Sequence, residues 1–232
     1  MKISPLWSFV SVVSVVKWIK WEKEVASLKK CGIFCAGGFA GRLPDEADVI
    51  IAADGGLTHT AALGLRPDVI LGDFDSLGYV PTGSEVFPVE KDDTDSMLAI
   101  KRGLELGCDT FYIYGALDGD RLEHTMANFQ ALQYIAQRGG RGYLIGCRQI
   151  VTAITADEIC FPETFAGYLS VFCMGADAQN VCIRGAQYAL ENGILTSGFP
   201  LGVSNRFVGQ KVTVSVEDGT LLLIWDRENG IP

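Results

Sequence analysis

Histidine is scarce in this chain: His59 and His124 are the only two among 232 residues. Of the seven cysteines (31, 35, 108, 147, 160, 173 and 182), no two stand in Cys-x-x-Cys spacing; Cys31 and Cys35 are four apart. The ligand set for a zinc site is therefore lacking. An odd count, mostly inside hydrophobic runs such as "YLSVFCMG", reads as free thiols of a reducing compartment and not as a disulfide framework. Long apolar runs are missing too. "LWSFVSVVSVV" near the start is broken by serine and covers 11 residues, where a membrane helix needs about 20. No small-residue cleavage site follows it, only Lys17, Lys20 and Lys23, so it makes a poor secretory signal. It reads as an appended helix or an upstream mis-assigned start. Basic charge is also short, with 19 Lys and Arg against 28 acids and a net charge of −9. That excludes a broad electrostatic footprint on nucleic acid. It leaves open phosphate binding through backbone N–H groups, a few local cations or a bound metal. There is no internal repeat and no low-complexity segment.

What is present is a chain long enough to bury a core unaided, nearly half hydrophobic. From Cys31 onward, short apolar runs end in Gly or Asp: "CGIFCAGG", "ADVIIAADGG" and "RPDVILGDFDS", with a helix over Leu57–Leu63 between the last two. "SEVFPVE" is a weaker strand. "DTDSMLAIKRGLELG" reads as a helix capped by Thr94 or Asp93, with Met97, Leu98, Ile100 and Leu104 as its apolar stripe. "DTFYIYGA" is a strand, and "EHTMANFQALQYIAQRG" a helix with Met126, Phe129, Leu132 and Ile135 at helical spacing. "GYLIG" closes the series. Continuous apolar strands alternating with helices predict a mostly parallel sheet with helices on both faces. After about residue 150 the pattern changes to short strands and turns. Val212, Val214 and Val216 alternate with polar residues, and Asp218–Gly219 suits a hairpin turn. The expected fold class is α/β, with a C-terminal all-β sandwich-like domain. Its parts are an extension over 1–30, an α/β domain over 31–150 and a β domain over 151–232.

In parallel sheets, ligands bind outside the carboxyl ends of the strands. Gly37–Gly38, Asp54–Gly55–Gly56, Asp73–Asp75 and Gly115–Ala116 all fall at such ends. Asp73 and Asp75, at i and i+2 of an extended segment, point to one side. Holding two carboxylates that close is unfavourable unless a cation offsets it, and Mg²⁺ suits such a pair. Asp92, Asp93 and Asp95 open a helix, where acids also meet the positive end of its dipole. Lys91 and Arg121 lie near the same rim, Arg suited to bidentate phosphate contacts and Lys to point-charge neutralisation. Together these point to a nucleotide-phosphate enzyme.

The segments "ADGG" (53–56), "GDFDS" (72–76), "EKDDTD" (90–95), "GALDGDRLEH" (115–124) and "GVSN" (202–205) resemble thiamine pyrophosphokinases, in that family's order, over about residues 31–232. The resemblance implies Mg²⁺-dependent diphosphoryl transfer from ATP to the hydroxyl of thiamine, giving thiamine diphosphate and AMP, in a cytoplasmic homodimer with no nucleic-acid or membrane partner. It implies that Asp73, Asp75 and Asp95 hold Mg²⁺. Lys91 and Arg121 act on the phosphates. Asp54, Gly55, Asp92 and Thr94 sit on the nucleotide side, and Glu123, Ser204 and Asn205 on the thiamine side. The loop "GDRLEH" departs from the family pattern: Asp120 stands for Gly, Glu123 for Asp, and Asp118 is added. Two other readings compete. "ILGDFDS" also resembles the Asp-x-Asp of haloacid-dehalogenase-type phosphatases, and the altered loop would suit an inactive thiamine- or nucleotide-binding protein.

Overall fold

A computed structural model describes residues 28–39, 47–75 and 77–232. The expected extension lies almost wholly outside these residues. Six apolar segments form a parallel array: β1 (Lys30–Phe34), β2 (Val49–Ala53), β3 (Val69–Gly72), β4 (Glu85–Val86), β5 (Thr110–Tyr114) and β6 (Arg141–Ile145). They are ordered β4-β3-β2-β1-β5-β6. Three helices complete this part: α1 (Gly56–Ala62), α2 (Asp95–Glu105) and α3 (Leu122–Ala136). Ile33, Ile51 and Ile113 face one side of the sheet and share a buried cluster with Ala99 and Ile100 of α2 and Leu132 and Ile135 of α3. On the other face Phe34 and Tyr114 stack at 5.0 Å, and His59 of α1 meets the Phe39 ring beside them. Of the predicted stripe on α3, Met126 is exposed; Asn128 and Ala131 are buried with Leu132 and Ile135.

The sheet does not stop at residue 150. Strand β7 (Gln149–Thr155) turns back antiparallel on β6 and also pairs along its length with β13 (Asp218–Asp226). Beyond it comes β9 (Tyr168–Arg184), a single 17-residue strand where the sequence suggested only short strands. Its first half pairs with β13 and β11 (Gly202–Arg206). Its second half pairs with β12 (Val212–Ser215) and β10 (Leu190–Leu195), and β8 (Glu158–Phe161) lies outside β12. The bend between the halves falls near Gly175, at φ +78°. It folds a second sheet over the aromatic face, where Phe161, Phe207, Trp225 and Tyr143 join one core. Val212, Val214 and Val216 are buried, as their alternation predicts. Asp218–Gly219 does not make the expected hairpin. β12 and β13 do not pair with each other; both pair with β9, and residues 216–217 carry the chain from one sheet to the other. Among the described residues the architecture is a mixed sheet with three α-helices and a predominantly β C-terminal portion. No helix among the described residues is long and apolar enough to cross a membrane.

Candidate active site

Parallel pairing in register brings the carboxyl ends of β1, β2, β3 and β5 to one rim, as Asp54 N–H donates to Leu71 O and Gly37 N–H to Gly115 O. Close approach there demands glycine. A Cβ on Gly56 would stand 1.9 Å from Phe34 O, so only glycine lets α1 start against β1. Gly115 has φ +66°, and a Cβ there would stand 2.3 Å from Cys35 O.

Asp54, Asp73 and Asp75 project from this rim, each offering a carboxylate oxygen within 4.8 Å of the others. Asp73 and Asp75 come together by a tight turn and not by a pleat. Phe74 between them has φ +60°, its ring is buried, and Asp75 N–H donates to Asp73 Oδ1 at 3.3 Å. A left-handed backbone at a bulky residue is rare and costs about 1–3 kcal/mol, and such strain clusters at functional sites. Asp54 is also left-handed, at φ +47°.

Lys91 bridges this group to α2. Its Nζ is 2.7 Å from Asp73 Oδ2 and 2.9 Å from Asp95 Oδ1, and its side chain is only 12% exposed. The Lys91 hydrogen bond holds the Asp73 carboxyl below the usual carboxylate range. Asp95 moves the other way. Its burial raises it, the Asp73 and Asp54 charges add to that, and Lys91 only partly offsets them. Burial opposes the charge on Lys91, yet its two carboxylate partners outweigh it and raise its pKa. Asp95 thus faces the carboxylate trio across Lys91, while Asp54, expected on the nucleotide side, stands among the carboxylates. Three hard oxygen donors at this spacing fit Mg²⁺. Burial pushes the nearby Cys35 thiol up to about 12, which keeps it protonated and inert.

Thr94 caps α2, its hydroxyl accepting from Met97 N–H at 3.2 Å. Gly55 is buried at the N-cap of α1 and Asp92 is exposed. Arg121 occupies the N-cap of α3, exposed, with Nε 2.7 Å from Glu123 Oε1. That bond lowers the Glu123 pKa. Asp118, legible in the sequence only as an added residue, is an anchor. Its backbone bridges Gly38, and its Oδ2 accepts from Cys147 N–H in the β6–β7 turn.

Ser204 and Asn205 lie elsewhere, on β11. Ser204 is exposed at φ +59°, its N–H donating to Ser170 Oγ. Asn205 is buried and engaged with its own chain: Oδ1 accepts from Tyr188 N–H and Arg206 N–H, and Nδ2 donates to Tyr188 O. Between β3 and β11 the sheet order interposes β2, β1, β5, β6, β7, β13 and β9. At about 4.8 Å per strand that is roughly 38 Å along the sheet.

Comparison with known proteins follows the same division. The thiamin pyrophosphokinase catalytic domain model matches residues 40–142, and the thiamin pyrophosphokinase vitamin B1 binding domain model matches residues 157–221. The thiamine pyrophosphokinase of Bacillus subtilis is 27% identical over 189 residues, 78% of this chain and 88% of that protein. A crystal structure of thiamine pyrophosphokinase from Bacillus subtilis superposes with a TM-score of 0.74 at 26% identity, covering 84% of this chain and 98% of its own. The Candida albicans thiamin pyrophosphokinase, at 16% identity, shares the fold with a TM-score of 0.64 over 84% of this chain and 88% of its own. With both domain models matched in order across most of its length, the chain belongs to the thiamin pyrophosphokinase family.

Proposed function

We propose that this protein transfers a diphosphoryl group from ATP to the hydroxyl of thiamine, producing thiamine diphosphate and AMP. The observation that carries the reading is the cluster of Asp54, Asp73 and Asp75 with Lys91 and Asp95 at the strand ends. The thiamine oxygen bonds to the β-phosphorus as its hydroxyl proton is released to solvent, the bond from that phosphorus to the α–β bridging oxygen breaks, and AMP leaves with that oxygen. Charge spreads over phosphate oxygens during the transfer, so positioning and electrostatics carry the catalysis. Asp73 and Asp75, with Asp54 and Asp95 completing the acidic ring, would hold Mg²⁺. Bound there, the ion would neutralise phosphate charge and orient the transferred group. Lys91 and Arg121 serve the phosphates, and Gly55, Asp92 and Thr94 line the nucleotide side. The acidic rim also suits the fixed positive charge of thiamine.

The N-terminal half handles the nucleotide and the C-terminal β portion handles thiamine. If Ser204 and Asn205 on β11 serve thiamine alongside Glu123 on α3, the spacing of roughly 38 Å along one sheet favours the β11 of a second copy, which supports a homodimer. Mixing Asp73→Asn with Ser204→Arg protein tests this. Each is expected to be inactive alone, and random hybrids should restore roughly a quarter of wild-type activity, because half the dimers are mixed and carry one intact site. No recovery on mixing would refute the shared site. The seven free thiols support a reducing, cytoplasmic location.

Incubation with thiamine, ATP and Mg²⁺, followed by chromatography, tests the reaction itself. Equal amounts of thiamine diphosphate and AMP are expected. Release of inorganic phosphate through an aspartyl intermediate would instead support the phosphatase reading. Thiamine binding without turnover would mark an inactive binder.

A further inference from the structure

Two of the few buried polar side chains, Ser96 and Asn128, lie outside the reaction just described. They form one directed relay. Asn128 Nδ2 donates to Ala116 O at 2.7 Å, and Asn128 Oδ1 accepts from Ser96 Oγ at 2.8 Å. Because the Ser96 hydroxyl proton is thereby committed, the Thr94 hydroxyl is the donor in the 3.0 Å contact with Ser96 Oγ. Thr94 Oγ1 in turn accepts from Met97 N–H. The relay therefore joins the first turn of α2, where Asp95 meets Lys91, to the start of the loop 115–121, which ends at Arg121.

Burying two polar side chains gives little net stability, since an apolar pair of the same shape is about as stable. A fully satisfied buried relay does fix one geometry, because any displacement leaves a donor or acceptor unmet in a low dielectric. Exposed Arg121 has no such constraint of its own: its only side-chain bond among the described residues is to the equally exposed Glu123.

We propose that Asn128, held by Ser96, is a positioning residue that sets the loop carrying Arg121 against the Lys91–Asp95 end of α2. It touches no substrate and acts through Arg121. The inference rests on the diphosphotransfer reading for its effect on rate, but not for its effect on the loop. Two variants test it in the full-length protein. Asn128→Leu removes both bonds. Ser96→Ala is the milder change, removing only the α2 end and leaving the Asn128–Ala116 bond possible.

Amide exchange of residues 115–122 is expected to quicken about tenfold in either variant while the core strands keep their protection. In turnover, kcat should fall roughly 10- to 50-fold with the KM for thiamine little changed. In an Arg121→Ala background the same substitutions should cost less than about twofold, because the group they position is gone. Unchanged exchange of the loop, or full additivity with Arg121→Ala, overturns the proposal. If the wild-type protein forms no thiamine diphosphate, the reaction reading fails and the exchange measurement alone decides this one.

Discussion

Replacing Lys91 by Met keeps the shape of the side chain and removes the cation that bridges Asp73 and Asp95. Its Nζ is 2.7 and 2.9 Å from their oxygens, and the Lys91 and Asp73 side chains are each 12% exposed. The Asp54, Asp73 and Asp75 oxygens that Lys91 helps to neutralise lie within 4.8 Å of one another, and two charges at about that distance repel by roughly 3.5 kcal/mol at an effective dielectric of about 20. Breaking a mostly buried pair by removing one partner costs about 3–5 kcal/mol. Asp95 is 26% exposed and Asp75 reaches water, so the lower end, about 3 kcal/mol, is the expected loss. In a chain of this size that lowers Tm by roughly 6–12 °C. Thermal melts at neutral pH in a chelator measure it. Adding Mg²⁺ should shrink the deficit, since a ligand at 100 times its Kd stabilises by about 2.7 kcal/mol and the variant has more charge to neutralise. Lower pH should shrink it too. The depressed Asp73 pKa gives wild-type stability that is full above the ordinary carboxylate value and is lost as pH falls through the lower native one. The raised Asp95 carboxyl takes up its proton earlier on the same descent, which relieves the repulsion. The gap between the proteins should thus begin to narrow as Asp95 takes up its proton and close only below about 4, as pH falls through the depressed Asp73 value. Equal melting at neutral pH in chelator, or a deficit indifferent to both Mg²⁺ and acid, would refute the electrostatic argument.

Asp73→Asn should cut turnover by about three orders of magnitude or more with the fold intact by circular dichroism; near-normal turnover would remove Asp73 from the metal site. Asn205→Ala should lower Tm by several degrees, since it strands the backbone groups of Tyr188 and Arg206 at about 1–3 kcal/mol for a buried loss; unchanged melting with a raised KM for thiamine would instead mark Asn205 as a substrate contact. In Gly146→Ala the new Cβ would stand 2.7 Å from Asp118 Oδ2 and Leu117 Cδ2, so kcat should fall and amides of the 115–121 loop should exchange faster. Equal kcat and exchange would show that the Asp118 anchor has slack.

The acidic strand ends were legible because each is a local pattern: an apolar run, then Asp or Gly where the sheet stops. Thr94 as the cap of α2 and the buried face of β12 were legible for the same reason. The partnership of Asp54 with Asp73 and Asp75 was not, because it depends on β2 and β3 being neighbours in register. Asp118 looked like an insertion until its bond to Cys147 joined segments 29 residues apart. Ser96 and Asn128 interrupted apolar stripes and carried no local signal; their bond spans 32 residues. The Asp218–Gly219 turn failed as a hairpin because a favourable dipeptide does not choose which strand pairs with which.

By itself the sequence determined which residues are apolar, at which period, and where runs of them end in small or acidic residues. Those are short-range properties of the chain, and they sufficed for the parallel array, its helices and the chemical character of its rim. The tertiary structure alone decided which carboxylates share a cation, which of them is depressed and which raised, and how far β11 lies from the rim. Each of these depends on distances between segments far apart in the chain, and electrostatic and hydrogen-bond energies act through those distances.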